Sequence, residues 1–465
     1  MNYTILSAGM VLLVSFPAQV FAQKTTTIRM DEMIVVASNS AGSTTAQKDV
    51  PMGQSGNGNV SLLPEESGTT DADQLFGTQG GYAHPYLSVE GAYTDNLFNV
   101  NSNEISSSLY RISTGVWASL PRKKDIPVTI SPNNSSSGGL AQQIEDYGGT
   151  DRYQVVAHAG LDINRYSEDS DLDSEDYFFE GLARYNMASG LSLQILDRYE
   201  TGHDGFGAGG ATEDDLREYN TNLFMATADW DLTEKITFKA DYSNFLLNYD
   251  QDLNSFLERT DNAFDIYGYY NLTSKTSLFL QYSHIDVEYD SASANDNSQD
   301  YVYGGVTWNT TEKLSFMLKA GLQSKEFDVT GGGYSDSEAF ALDLQTIYRI
   351  TEKTDLSLDV YRKIEESDSI DASEKVVLGA QLGYSQEINE KIGFTCDFVY
   401  ENADYTQLAG LARDEDMYFV RPAVQYLFKE WLMAELAYSF DKRDSSDDDY
   451  DFQTNTFYLS LNMAM

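Results

Sequence analysis

Six stretches of the chain repeat one pattern: a short polar step carrying a lysine or its equivalent, then a segment in which apolar and polar residues alternate. DLTEKITFKADYSN at 231–244 is followed by NLTSKTSLFLQYSH at 271–284, NTTEKLSFMLKAGL at 309–322 and RITEKTDLSLDVYR at 349–362. EINEKIGFTCDFVY at 387–400 and LFKEWLMAELAYSF at 427–440 complete the series. The lysines fall at Lys235, Lys275, Lys313, Lys353, Lys391 and Lys429, about 40 residues apart, a period that a propeller blade of four short strands would also give. Here each period holds only two long segments, joined by one short and one long connection, and that predicts a long hairpin.

Successive side chains of a strand point to opposite faces, so the alternation sorts the residues. Ile236, Phe238, Ala240 and Tyr242 face one way, and Thr237, Lys239, Asp241 and Ser243 the other. Six residues after each lysine, on the polar face, stand Asp241, Gln281, Lys319, Asp359, Asp397 and Glu435. Five residues before it, on the apolar face, four of the repeats carry Trp230, Tyr270, Trp308 and Tyr348. A soluble sandwich accounts for alternation but not for an aromatic held at one height in hairpin after hairpin. A membrane-interface girdle does. The strict alternation of short polar steps with longer acidic loops points the same way.

The pattern therefore predicts an all-β fold: a transmembrane antiparallel up-and-down β-barrel of about 18 strands, 16 being the alternative. Its turns are short on the periplasmic side and its extracellular loops long and acidic. The barrel occupies residues 84–465, with outer-membrane lipid as its surroundings. The last strand places Phe457, Leu459, Leu461, Met463 and Met465 on one phase. That resembles the terminal signal by which outer-membrane proteins engage their assembly machinery, with Met where an aromatic is usual.

Composition sharpens this picture. Tyr occurs 32 times against four Trp, which favours β structure and wet–dry boundaries. A formal net charge of −43 excludes nucleic acid as a partner, since that needs a basic footprint. The opening run ILSAGMVLLVSF, a proline and the small residues before Ala22 read as a secretory signal peptide over residues 1–22, an uncleaved anchor being the alternative. Residues 23–83 have the Ser/Gly/Thr/Gln-rich make-up of a flexible periplasmic segment. Cys396 stands alone, so no intramolecular disulfide is available.

The opening strand with its loop, HPYLSVEGAYTDNLFNVNSN, together with ADYSNFLLNYD, TDNAFDIYGYY and YLFKEWLMAELAYSFDKRDSS, resembles the putative beta-barrel porin family over roughly residues 84–465. The resemblance implies an outer-membrane barrel of a Gram-negative bacterium, often associated with exopolysaccharide loci. It carries no catalytic residue to transfer, and it implies no cofactor.

Candidate sites follow from the polar face. Lys239, Asp241, Lys319, Asp359, Asp397, Arg421 and Glu435 are expected to line the lumen. Charged rings set ion selectivity in channels, and an acidic surplus favours cations. The competing reading is a salt-bridged lumen that does not conduct. Inward Tyr267, Tyr269, Tyr301 and Tyr303, or residues 121–150, are candidates to obstruct the pore.

Asp169, Asp171, Asp173 and Glu180 approach the spacing of a calcium loop, but lack its turn glycine and flanking helices. A loosely cation-attracting or simply solvated acidic loop is the alternative. IRMDEMIVVASNS at 28–40 resembles the energy-coupling box of TonB-dependent receptors and offers a strand for a periplasmic partner. About 45 residues before the barrel leave no room for the folded plug such a receptor needs. Ser283, His284 and Asp286 are adjacent in sequence, which places neighbours on opposite strand faces and disfavours a hydrolase.

These readings order themselves. A non-enzymatic, porin-like outer-membrane channel comes first, passing small solutes or serving polysaccharide export or surface assembly. A closed structural barrel without transport, or a TonB-coupled receptor lacking a full plug, are the alternatives.

Overall fold

The computed structural model describes residues 81–121, 132–139, 152–168, 170–207, 210–212, 215–291, 293–311, 313–329, 333–409 and 412–464. Eighteen strands run in chain order. The first six are β1 (Ala83–Thr94), β2 (Ser107–Leu120), β3 (Tyr153–Tyr166), β4 (Ser174–Asn186), β5 (Leu191–His203) and β6 (Glu218–Thr233). Next come β7 (Ile236–Tyr249), β8 (Arg259–Thr273), β9 (Thr276–Tyr289), β10 (Asn297–Thr311), β11 (Leu314–Phe327) and β12 (Ser337–Thr351). The last six are β13 (Thr354–Glu366), β14 (Ala372–Asn389), β15 (Ile392–Gln407), β16 (Arg413–Lys429), β17 (Leu432–Ser445) and β18 (Phe452–Ala464).

Every strand pairs antiparallel with its sequence neighbours, and β1 pairs with β18, Val89 facing Leu461. The sheet thereby closes into an 18-stranded up-and-down barrel, the arrangement in which backbone groups crossing lipid find partners on adjacent strands.

The recurring polar step is a capped turn. Thr233 Oγ1 accepts the N–H of Lys235 at 3.2 Å and of Ile236 at 3.1 Å. Thr273, Thr351 and Asn389 likewise accept from Lys275, Lys353 and Lys391 at 3.1, 3.2 and 2.9 Å. Short polar side chains that bond two residues ahead stabilise such reversals, which is why Thr or Asn keeps returning there. Pairing also slips by one residue just before each turn, between Asp231 and Thr233, Asn271 and Thr273, Arg349 and Thr351, and Glu387 and Asn389. Such β-bulges sharpen local twist at a barrel rim.

Connections at this end are minimal: residues 187–190, 234–235, 274–275, 312–313, 352–353, 390–391 and 430–431. One is not. The connection between β2 and β3, residues 121–152, leaves and re-enters the barrel at this same, periplasmic, end.

The two faces of each strand differ sharply. On β9, Leu278, Leu280 and Tyr282 are 45, 71 and 40% exposed, whereas Phe279, Gln281 and Ser283 are 3, 2 and 1% exposed. Trp230, Tyr270, Trp308 and Tyr348 all lie on the exposed face near the short-turn end, Tyr270 opposite Ile236 and Tyr348 opposite Leu314. Phe457, Leu459 and Leu461 of β18 are exposed as well, while Met465 lies outside the described residues.

The interior is not uniformly polar. Val156, Leu182, Leu196, Leu223, Met225, Phe245 and Leu247 form a buried apolar cluster across the inner face of β3 to β7, joined by Tyr249 and Leu257.

Candidate functional site: the charged inner wall

The polar phase of β7 to β13 builds a repeated unit of lysine, aspartate and tyrosine. Lys239 Nζ lies 3.2 Å from Asp241 and 5.1 Å from the centre of the Tyr267 ring. Register puts Asp241 directly across from Asp265, a like-charge pair. Lys239 relieves one member, and Gln281 donates to the other at 3.2 Å.

The unit returns on β10 to β12. Lys319 Nζ is 3.4 Å from Asp343, its cross-strand neighbour, and 5.1 Å from the Tyr303 ring. Tyr267 stacks on Tyr269 and Tyr301 on Tyr303, with ring centres 6.0 and 5.7 Å apart. Asp359 sits buried between Gln345 and Gln381 in the register of β12, β13 and β14. Farther round, Arg421 donates to Glu435 at 2.6 Å, Gln425 donates to the same carboxylate at 3.1 Å, and Asp397 faces Arg421 across β15 and β16. All seven residues singled out from alternation thus lie on the inward phase of their strands, as one belt rather than one ring.

The opposite wall carries a tighter cluster. Arg198 on β5 lies 2.9 Å from Glu180 on β4 and 2.8 Å from Glu200, its guanidinium 4.5 Å above the Phe178 ring. Arg111 reaches Glu90 at 3.5 Å and donates to Asn164 at 2.7 Å. Glu180 is therefore engaged inside the barrel, away from the β3–β4 loop that holds Asp171 and Asp173. Asp173 accepts the N–H of Tyr166 at 2.9 Å and lies 3.6 Å from Arg165. Asp169 lies outside the described residues, and among those described no group of three or more potential metal ligands forms.

Ser283 points inward. Its neighbour His284 is partly exposed, with Asp300 at 2.9 Å and Asp286 at 3.3 Å. His158 is buried against Tyr86, 3.0 Å from its hydroxyl. The TonB-box-like stretch 28–40 and the stretch 1–22, read above as a signal peptide, fall outside the described residues.

At the long-loop end, β13 departs from alternation: Ile364, Glu365 and Glu366 are all buried. Glu366 accepts from Lys325 at 3.0 Å on each oxygen, from Tyr289 at 2.9 Å and from Gln299 at 2.7 Å. Strand parity does not reveal this hub, because Glu366 lies off the inward phase. Lys325 was legible as a wall residue, six positions beyond Lys319 on the same phase. In the following turn Asp368 meets Lys375 at 3.2 Å and Tyr405 at 3.3 Å. Burial pushes its carboxyl up, but Lys375, Arg413 and Arg443 outweigh that and hold it below the ordinary carboxylate range.

A closed, lipid-facing, 18-stranded barrel with a charged inner wall defines an outer-membrane β-barrel of the porin class. Residues 149–465 match the family described as Putative beta-barrel porin 2, and the chain belongs to that family. No curated protein matches it. Among solved structures, Pseudomonas aeruginosa OccK3 (OpdO) is 11% identical, covering 82% of this chain and 95% of its own, with a TM-score of 0.41. Acinetobacter baumannii OccAB4 is 10% identical over 83 and 100% of the two chains, TM-score 0.44. OccK2 (OpdF) of P. aeruginosa, solved in complex with glucuronate, is 10% identical over 82 and 98%, TM-score 0.43. Likeness at this level carries no inference about this chain's solute.

Proposed function

We propose that this porin-like outer-membrane protein is a passive channel for small hydrophilic solutes, with a preference for cations. One observation supports the reading above others: the inner wall between β7 and β17 presents Asp241, Asp265, Asp343, Asp359, Asp397 and Glu435 against Lys239, Lys319 and Arg421. Among the described residues, Asp241 Oδ1, Asp343 Oδ1, Asp359 Oδ1 and Ser283 Oγ are buried without a hydrogen-bond partner. Buried oxygens call for donors, and cations or hydroxyl-bearing solutes supply what such a wall accepts. Single-channel recording in planar bilayers tests this. Discrete steps that favour cations under a salt gradient are expected, and absence of steps at any voltage contradicts it.

A closed structural barrel is the second reading, and the buried ion pairs of Arg198 with Glu180 and Glu200 and of Lys325 with Glu366 favour it. Two cavities inside the barrel, beside Tyr301 and beside Phe206, measure about 90 and 100 Å³. A link to exopolysaccharide export or surface assembly rests on the family resemblance, and loss of surface polysaccharide on deleting the protein is its test. Energy coupling through residues 28–40 predicts that removing 28–37 abolishes energy-dependent uptake.

A further inference from the structure

The β2–β3 connection starts and ends at the periplasmic rim, where Leu120 pairs with Val155. Its described part, residues 132–139, nevertheless lies in the outer half of the lumen. Gly139 rests on Phe245, nine residues up β7 from its periplasmic end, and Gly138 donates to Asp261 near the extracellular start of β8 at 2.8 Å. Phe245 lies about 30 Å along β7 from Ile236, and the chain from Pro121 to Pro132 can reach about 36–40 Å. The chain is thus long enough for the excursion.

This tip is held by a built frame, not merely parked. The N–H of Glu366 donates to Ser135 O at 2.9 Å, so strand β13 bonds the tip through its backbone. Arg259 donates to Ser136 O at 3.2 Å and Lys363 to Ser136 Oγ at 2.6 Å. Ser137 Oγ donates to Glu366 at 3.0 Å and accepts from Gln299 at 2.7 Å. Contacts thus come from β7, β8, β9, β10 and β13, one continuous arc of the wall. The tip's composition suits the task. Gly138 and Gly139 adopt φ of 79° and 73°, and a β-carbon on Gly139 would run into the Phe245 ring.

We propose that residues 132–139 are the constriction of this channel, inserted from the periplasmic side, and that this serine–glycine tip sets the size of solute that passes. The inference rests on the channel reading and adds to it the element that limits flow. Small hydroxyl-bearing side chains and the ionic frame around them make the narrowest point polar, which fits small hydrophilic solutes and rejects polymers.

The test compares the full-length protein with two variants in planar bilayers and in liposome-swelling assays with sugars of increasing size. One variant replaces residues 122–151 with a short Gly/Ser turn, which the Leu120–Val155 register allows. The other is Gly139→Val, which leaves all strands untouched and displaces the tip from Phe245. Both are expected to raise unit conductance several-fold and to admit larger sugars. If native protein conducts and Gly139→Val conducts identically, with the turn variant either identical or unfolded, the constriction lies elsewhere and the channel reading survives. If no protein of the three conducts or admits any sugar, the channel reading falls and the constriction with it.

Discussion

Lys325 of β11 places its Nζ 3.0 Å from both carboxylate oxygens of Glu366, the last residue of β13, reaching past β12 to do so. Neither side chain is more than 1% exposed. At this contact the outer end of β13 also bonds Ser135 and Ser137 of the segment 132–139. Removing one member of a buried pair leaves the other charge uncompensated, so Lys325→Met is expected to cost about 3–5 kcal/mol. Lys325→Met with Glu366→Gln together should cost clearly less than the single change. Urea unfolding of the barrel in lipid reads both, and equal losses would contradict the pairing.

Leu280 is the most exposed of the large apolar side chains of β9 and lies between Gly268 and Gly304 on the neighbouring strands. An arginine there meets lipid near mid-depth. Leu280→Arg should cost about 2–4 kcal/mol in a bilayer, measured by the same unfolding assay. A change below about 0.5 kcal/mol, the size of an ordinary surface substitution, would mean that this face does not touch hydrocarbon.

Asp359 and Asp397 stand on the same wall, Asp359 between Gln345 and Gln381 and Asp397 across from Arg421. Neutralising both, as Asp359→Asn with Asp397→Asn, should weaken cation preference. The reversal potential under a salt gradient should move toward zero. An unchanged value would place the selectivity determinant elsewhere.

The turn between β13 and β14 supplies a pH dependence with a definite sign. Asp368 is held below the ordinary carboxylate range in the folded state by Lys375, Arg413 and Arg443, which overcome the upward push of burial. A lowered folded value contributes stability that is fully present above the unfolded pKa of about 3.9 and is lost as pH falls through the folded value. A spin label at Ile370, an exposed position in this turn, should stay immobile from neutral pH down past 4 and loosen only below that. Asp368→Asn should abolish the acid transition, and an unaltered transition in that variant would assign it to another group.

Much of the architecture was written in the chain. The Thr–x–Lys steps mark turns because Thr233, Thr273 and Thr351 cap them, and the alternation after each step fixes which face meets lipid. Period two also placed Lys239, Lys319 and Glu435 on the inner wall, and the closed sheet resolves the choice between 16 and 18 strands in favour of 18. Three features escaped that reasoning for physical reasons. Glu366 lies off phase, and its burial comes from tertiary bonds to Lys325, Tyr289 and Gln299. Phe245 and Leu247 occupy inward positions that parity alone assigns to the polar side. Residues 132–139 have the composition of a surface loop, and only their bonds to Arg259, Asp261 and Glu366 reveal where they sit.

The most direct measurement uses spin labels placed one at a time from Ser277 to Ser283 on β9, in a Cys396→Ser background and in lipid bilayers. Labels at 278, 280 and 282 should be open to oxygen dissolved in the hydrocarbon and shielded from a water-soluble paramagnetic reagent, while those at 277, 279, 281 and 283 should not. Accessibility without that two-residue alternation, or uniform access to the aqueous reagent, would contradict a barrel that turns its apolar face to lipid.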